Sequence, residues 1–267
     1  MWNNVLFDGY HFILAVTLAM ARIFPCLLLS PVFSFNAIKG GLRSAIVLSL
    51  ALFPAPMIQQ QIAVDDPSLF LLAALALKEV IIGIMIGLLM AMPFWLFESV
   101  GALFDNQRGA LMGGQLNPQL GPDATPLGFL MQQSIILLLV VGLGLSTLTQ
   151  IIWDSYRLWP AMQWLPFPSE AGFKVYLDLL SSVFIHMILY AGPLVALLLL
   201  VDFSVGILSI YSPQLQATVL SMPMKCLLGM LFFVLYLPIL NYVGGQRLFE
   251  LKDLIHHLSD MLGKGAG

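Results

Sequence analysis

Six long apolar runs dominate the chain, at about residues 10–35, 45–64, 69–97, 127–153, 176–201 and 219–243. Each is close to or above the ~20 residues a helix needs to cross a bilayer. The apolar positions are continuous rather than alternating, which argues against the strands of a membrane barrel. The pattern predicts an all-α integral membrane protein of about six long helical segments. Prolines interrupt several runs: Pro25 and Pro31 in the first, Pro93 in the third, Pro193 in the fifth, Pro223 and Pro238 in the sixth. A proline removes a backbone donor and bends a helix. Irregular backbone at membrane depth needs other protein around it. The runs therefore read as kinked helices of a chain built to pack into a larger assembly.

The segments between the runs differ in character. Residues 36–43 are short and basic, with Lys39 and Arg43, whereas Asp65 and Asp66 are acidic. Residues 98–126 are rich in glycine and proline, and residues 154–174 in tryptophan and proline. Beyond Gly244-Gly245, Leu248, Leu251, Ile255, Leu258 and Leu262 recur at helical spacing. This divides the chain into one membrane-embedded domain, residues 1–245, and an amphipathic tail, residues 246–267. The N-terminal run is too long for a signal-peptide core, so it reads as an uncleaved first membrane segment. The basic loop places the N-terminus outside, while Arg247, Lys252 and Lys264 place the C-terminus inside. Six simple crossings cannot satisfy both. Either one signal is noise or the runs are not six simple crossings.

Composition sharpens this picture. The 267 residues hold only 11 basic and 14 acidic side chains, 9% of the chain, against about 25% in a soluble domain. Mean hydropathy is +0.94. A soluble enzyme is excluded, and a net charge of -3 gives no footprint for nucleic acid. Cys26 and Cys226 lie in apolar runs and read as small hydrophobes. No sequence pattern of a metal, nucleotide or nucleophile site is present, and no cofactor is expected.

Candidate chemistry therefore falls on charges at membrane depth, which are costly and tend to be functional. Lys78 and Glu79 lie inside the third run, Arg22 inside the first, Asp202 at the end of the fifth, Lys225 near the start of the sixth. Helical neighbours point about 100° apart, so Lys78 and Glu79 are expected to satisfy different groups, on this chain or another. Structural ion pairing and a direct transport role both remain open for these charges. Gly83 and Gly87 form a GxxxG spacing suited to close helix packing. The densest polar cluster starts at Glu98. Asp105 and Arg108 stand three apart and can pair on a helix. Gly109 would end that helix, and the loop of about residues 109–126 is long enough to be a lid or binding loop.

The ordered motifs carry a resemblance. They are Lys78-Glu79-Val80-Ile81-Ile82-Gly83, Pro93-Phe94-Trp95, Glu98-Ser99-Val100-Gly101, Asp105-Asn106-Gln107-Arg108-Gly109-Ala110, Asn117-Pro118 and Thr125-Pro126-Leu127-Gly128. Later come Ala191-Gly192-Pro193, Gly206-Ile207-Leu208-Ser209, Ser212-Pro213-Gln214-Leu215 and Met222-Pro223-Met224-Lys225. Together they resemble the FliR family in its SctT/SpaR/YscT virulence branch, inner-membrane export-apparatus proteins of bacterial type III secretion systems. Ile210-Tyr211 and Gln216-Ala217-Thr218 depart from the branch pattern.

The resemblance implies an SctR-like N-terminal part and an SctS-like C-terminal hairpin, wound into a conical helical assembly displaced toward the periplasm. Implied partners are SctR and SctS in one complex, the switch protein SctU, the export gate protein SctV, unfolded polypeptide cargo and the lipid bilayer. The loop would be a plug, with Asp105, Gln107, Arg108, Gly109, Met112, Gly113, Gly114, Asn117 and Pro118 in gating roles. Lys78, Glu79, Glu98, Asp202 and Lys225 would serve assembly, and Gly83, Gly87, Gly206, Pro213 and Gln214 helix packing. The readings set against this one are a flagellar FliR-type export subunit, a small-molecule secondary transporter or channel, and an intramembrane enzyme, whose paired carboxylates are not evident.

Overall fold

A computed structural model describes residues 2–33, 41–65, 67–109, 125–164, 170–211 and 217–253. Among them every regular element is helical. In chain order these are α1 (Trp2–Leu29), a 3-10 turn (Pro31–Phe33), α2 (Gly41–Ala51), α3 (Ala55–Asp65) and α4 (Leu69–Gln107). Then follow α5 (Pro126–Gly142), α6 (Ser146–Leu158), α7 (Glu170–Tyr211), α8 (Ala217–Glu250) and a 3-10 turn (Leu251–Asp253). Four stretches, Asp8–Leu29, Leu69–Gln107, Tyr176–Tyr211 and Leu220–Glu250, are long and apolar enough to cross a membrane. Two broken helix pairs raise the number to as many as six. The chain is an all-helical, multi-pass membrane protein.

Of the prolines singled out in the sequence, Pro31 alone stands at a break, just past the end of α1 at Leu29. Pro25, Pro93, Pro193, Pro223 and Pro238 all lie inside uninterrupted helices. One missing N–H is tolerated where the surrounding turns stay bonded and neighbouring helices cover the site. The second apolar run instead bends by 63° between α2 and α3. There Pro54 and Pro56 withdraw two donors within three residues, and α3 restarts with Ile58 N–H on Pro54 O. The fourth run breaks between α5 and α6, where Gly144 takes φ +76°, a left-handed conformation that favours glycine. At the other end, α8 runs through Gly244-Gly245 to Glu250. The rest of the expected tail, residues 254–267, lies outside the described residues.

Contacts divide the chain into two compact units. The first holds α1 to α3, α4 as far as Met92, α6 and the segment after it. Its core is built from Ala19, Ile23 and Leu27 of α1, Ile58 and Ile62 of α3, Ile82 and Ile86 of α4, and Ile151, Ile152 and Tyr156 of α6, all nearly inaccessible. Gly83 and Gly87 let α4 lie directly on α1. A Cβ at Gly83 would meet Arg22 O at 2.2 Å, and one at Gly87 would meet Cys26 Cα at 3.0 Å. Gly83→Ala is therefore expected to lower the melting temperature of the purified chain, an overpacking cost of about 1–3 kcal/mol. Gly206 has open space around it, so Gly206→Ala should leave the same melting curve in place.

The second unit holds α4 from Pro93, α5, α7 from Asp178 and α8 to Phe249. Here α4 and α5 meet through glycine: a Cβ at Gly101 would lie 2.5 Å from Leu127 O and 2.7 Å from Gly128 Cα. Phe104 is fully buried and stacks on Phe233 of α8. By contrast Phe203, Ile210 and Leu227 are largely exposed, leaving long apolar faces on α7 and α8.

Candidate functional site

The final turn of α4 carries the polar residues that the sequence brought forward. Asp105 is fully buried although it is a carboxylate. Its Oδ1 accepts Arg108 Nε at 2.9 Å and Nη2 at 2.7 Å. Its Oδ2 accepts the backbone N–H of Leu127 at 2.7 Å. Leu127 is the second residue of α5, following Pro126, whose fixed φ suits a helix start. The first N–H groups of a helix lack internal partners and favour a negative charge. One carboxylate therefore grips the residue before Gly109 and the start of the helix after Thr125.

Gly109 turns the chain out of α4 with φ +89°. The carbonyl of Gln107, left open at the helix end, accepts Lys225 Nζ of α8 at 3.2 Å. Lys225 also pairs with Asp202 of α7 at 2.9 Å. A cation at a helix C-terminus is favoured both by the open carbonyls and by the helix dipole. Glu98, two turns earlier on α4, accepts a hydrogen bond from Gln132 of α5. All four helices of the unit thus contribute a side chain or backbone group around one loop root. Met112, Gly113, Gly114, Asn117, Pro118, Pro213 and Gln214 lie outside the described residues.

Lys78 and Glu79 belong to a separate cluster in the first unit, where they meet different groups, as their spacing suggested, and also pair with each other, which it did not. The two neighbours bond each other, Lys78 Nζ to Glu79 Oε1 at 2.7 Å. The long lysine stem curls back across the angle that separates adjacent helical positions. Glu79 also takes a bidentate grip from Arg22, at 2.6 and 3.0 Å, and both of these side chains are fully buried. Two cations against one anion leave a positive charge, which is spread over backbone carbonyls. Arg22 donates to Trp159 O at 2.8 Å. Lys78 donates to Ala161 O at 2.7 Å and Gln163 O at 2.9 Å. These carbonyls follow the C-terminus of α6, the end that attracts cations. Ser155 Oγ and the face of the Tyr156 ring complete the seat of Arg22. The cluster fastens α1, α4, α6 and the segment after α6 to one another.

Comparison with known proteins fits this architecture. The family described as "Bacterial export proteins, family 1" matches residues 13–251. The chain belongs to that family. Among its relatives, Yop proteins translocation protein T of Yersinia pestis is 35% identical over 255 residues, covering 94% of this chain and 97% of the relative. Surface presentation of antigens protein SpaR of Salmonella typhimurium is 28% identical, covering 88% of each chain. Flagellar biosynthetic protein FliR of Pectobacterium carotovorum is 25% identical, again over 88% of each. Family membership makes the chain a protein of bacterial export rather than an enzyme.

Several partners in these sites were not singled out from the sequence. Arg22 was visible as the lone charge of the first run, but nothing tied it to Glu79, 57 positions later. Ser155 and the carbonyls after α6 have no sequence signature. At the loop root, the Thr125-Pro126 helix-start signal could have drawn attention to Leu127 N–H as an open donor.

Proposed function

We propose that the chain is a structural and gating subunit of a type III secretion export apparatus in the bacterial inner membrane, displaced toward the periplasm. With SctR and SctS it would form the entry through which unfolded proteins cross, with SctU docked outside and SctV nearby. The loop of residues 109–126 would act as a plug, closing the channel before secretion.

The observation that carries this reading is the clasp at the loop root. Asp105 touches both Arg108 and Leu127 N–H, so a single carboxylate sets where the loop leaves α4 and where it re-enters α5. The positive φ of Gly109 gives the exit a sharp turn. The higher identity to the Yersinia translocation protein than to the flagellar protein favours the secretion branch. The exposed apolar faces of α7 and α8 supply surface for lipid and for other subunits.

Deletion of residues 113–121 tests the plug. The shortened chain is expected to assemble and to leak ions across the inner membrane at rest. Wild-type leakage from an intact assembly would remove the plug assignment.

A further inference from the structure

In the first unit, the bend between α2 and α3 and the polar side of α6 enclose a recess of about 520 Å3. The loop-root reading makes no use of it. One wall is aromatic: Phe53 and Trp153 stack with centroids 4.3 Å apart. The wall is fixed in place, because Trp153 Nε1–H donates to Leu50 O. Met57 and the exposed Phe53 supply an apolar floor. The polar rim holds one anion and one cation, Asp154 and Arg157, a turn apart on α6. They meet only at 3.4 Å, and the Arg157 side chain is 84% exposed. Its guanidinium therefore has room for a second anion.

The surroundings indicate the depth. At the end of the fourth apolar run the half-buried Trp153 and the exposed Trp164 stand among charged and polar residues, beside the exposed Phe53. Aromatic rings mixed with polar groups at the end of a span mark the headgroup layer of a bilayer. A ligand for this recess must therefore match a cation, an anion a turn away, and an apolar floor.

We propose that the recess binds the headgroup of a phospholipid that carries a primary ammonium, of the phosphatidylethanolamine type. The phosphate meets Arg157, whose forked donors suit its oxygens. The ammonium donates to Asp154. The first acyl carbons rest on Phe53 and Met57. A choline headgroup has no N–H for Asp154, and a glycerol headgroup brings no cation to it, so the pair of charges selects among lipids.

The test is native mass spectrometry of the full chain purified in detergent, offered equal amounts of phosphatidylethanolamine, phosphatidylcholine and phosphatidylglycerol. Preferential retention of phosphatidylethanolamine is expected. Arg157→Gln should lower its retention at least fivefold. Asp154→Asn should erase the preference over phosphatidylcholine. Both side chains lie on the outer face of α6, and unchanged melting curves would confirm that the variants are folded. Equal retention by wild type and Arg157→Gln would overturn the proposal, as would a preference for phosphatidylglycerol. Displacement by soluble phosphoethanolamine at lipid-like concentrations would assign a soluble ligand instead. A photo-crosslinker at Thr149 in the assembled complex should capture lipid; capture of a protein subunit would equally overturn the assignment.

Discussion

Glu79→Ala is expected to be the most damaging single substitution in the first unit. Glu79 is the only anion facing Arg22 and Lys78 among the described contacts of that cluster. Its removal would leave two cations in a site closed to water. Breaking a buried pair from one side costs about 3–5 kcal/mol, because the remaining charge is uncompensated. That is a large part of the 5–15 kcal/mol typical of a folded protein. Lys78→Met should cost less. It leaves the bidentate Arg22–Glu79 pair neutral overall, and a methionine fills much of the lysine stem's volume. The ranking can be read from the melting temperature of the purified chain and from its steady-state level in membranes. A Lys78→Met variant as damaged as Glu79→Ala would mean that the carbonyl contacts, not charge balance, hold the cluster together.

The second large effect is expected at Asp105. Asp105→Ala strands the Leu127 N–H and frees the Arg108 guanidinium at once, each loss being about 1–3 kcal/mol when the group stays buried. Stability should fall, but the sharper consequence is functional. With its two ends released, the loop of residues 109–126 is expected to fail in the plug role proposed for it, and resting membranes should leak ions. Arg108→Ala should leak less, because the Asp105 bond to Leu127 survives. Lys225→Met removes the cation on Gln107 O without touching the clasp and should fall between wild type and Asp105→Ala. Ion leakage in cells carrying fully assembled complexes measures this order. If Asp105→Ala assembles and stays tight, the clasp serves the fold of α4 and α5 and not closure.

Much of the scaffold was legible from hydropathy, since a run of apolar residues long enough to cross a bilayer has few ways to satisfy its backbone other than as a helix. The breaks were less legible. Pro193 and Pro238 sit in the same kind of apolar context as Pro54, yet only the bend at Pro54 ends a helix. The added weight of Pro56 and the restart at Ile58 decided it. Gly144 broke the fourth run through a backbone angle that composition does not display. The loop root was half visible. Asp105 and Arg108 stand at a spacing that helical geometry makes adjacent, whereas the third member of the clasp is a main-chain donor with no identity of its own. The Arg22 cluster shows the same limit at longer range, since its members are 57 and 133 positions apart.

The share of main-chain groups in these two sites has a genetic consequence. Leu127 N–H, Gln107 O, Trp159 O, Ala161 O and Gln163 O each hold one end of a charged contact. No codon change removes a main-chain carbonyl, and only proline at position 127 would remove the Leu127 N–H. A lineage that loses Asp105 therefore cannot recover the bond to Leu127 N–H by a reciprocal exchange, as it could across the Asp105–Arg108 pair. Drift at the loop root is one-sided, and second-site suppressors of Asp105 variants are expected to map to neighbouring side chains such as Asp202 or Lys225 rather than to position 127.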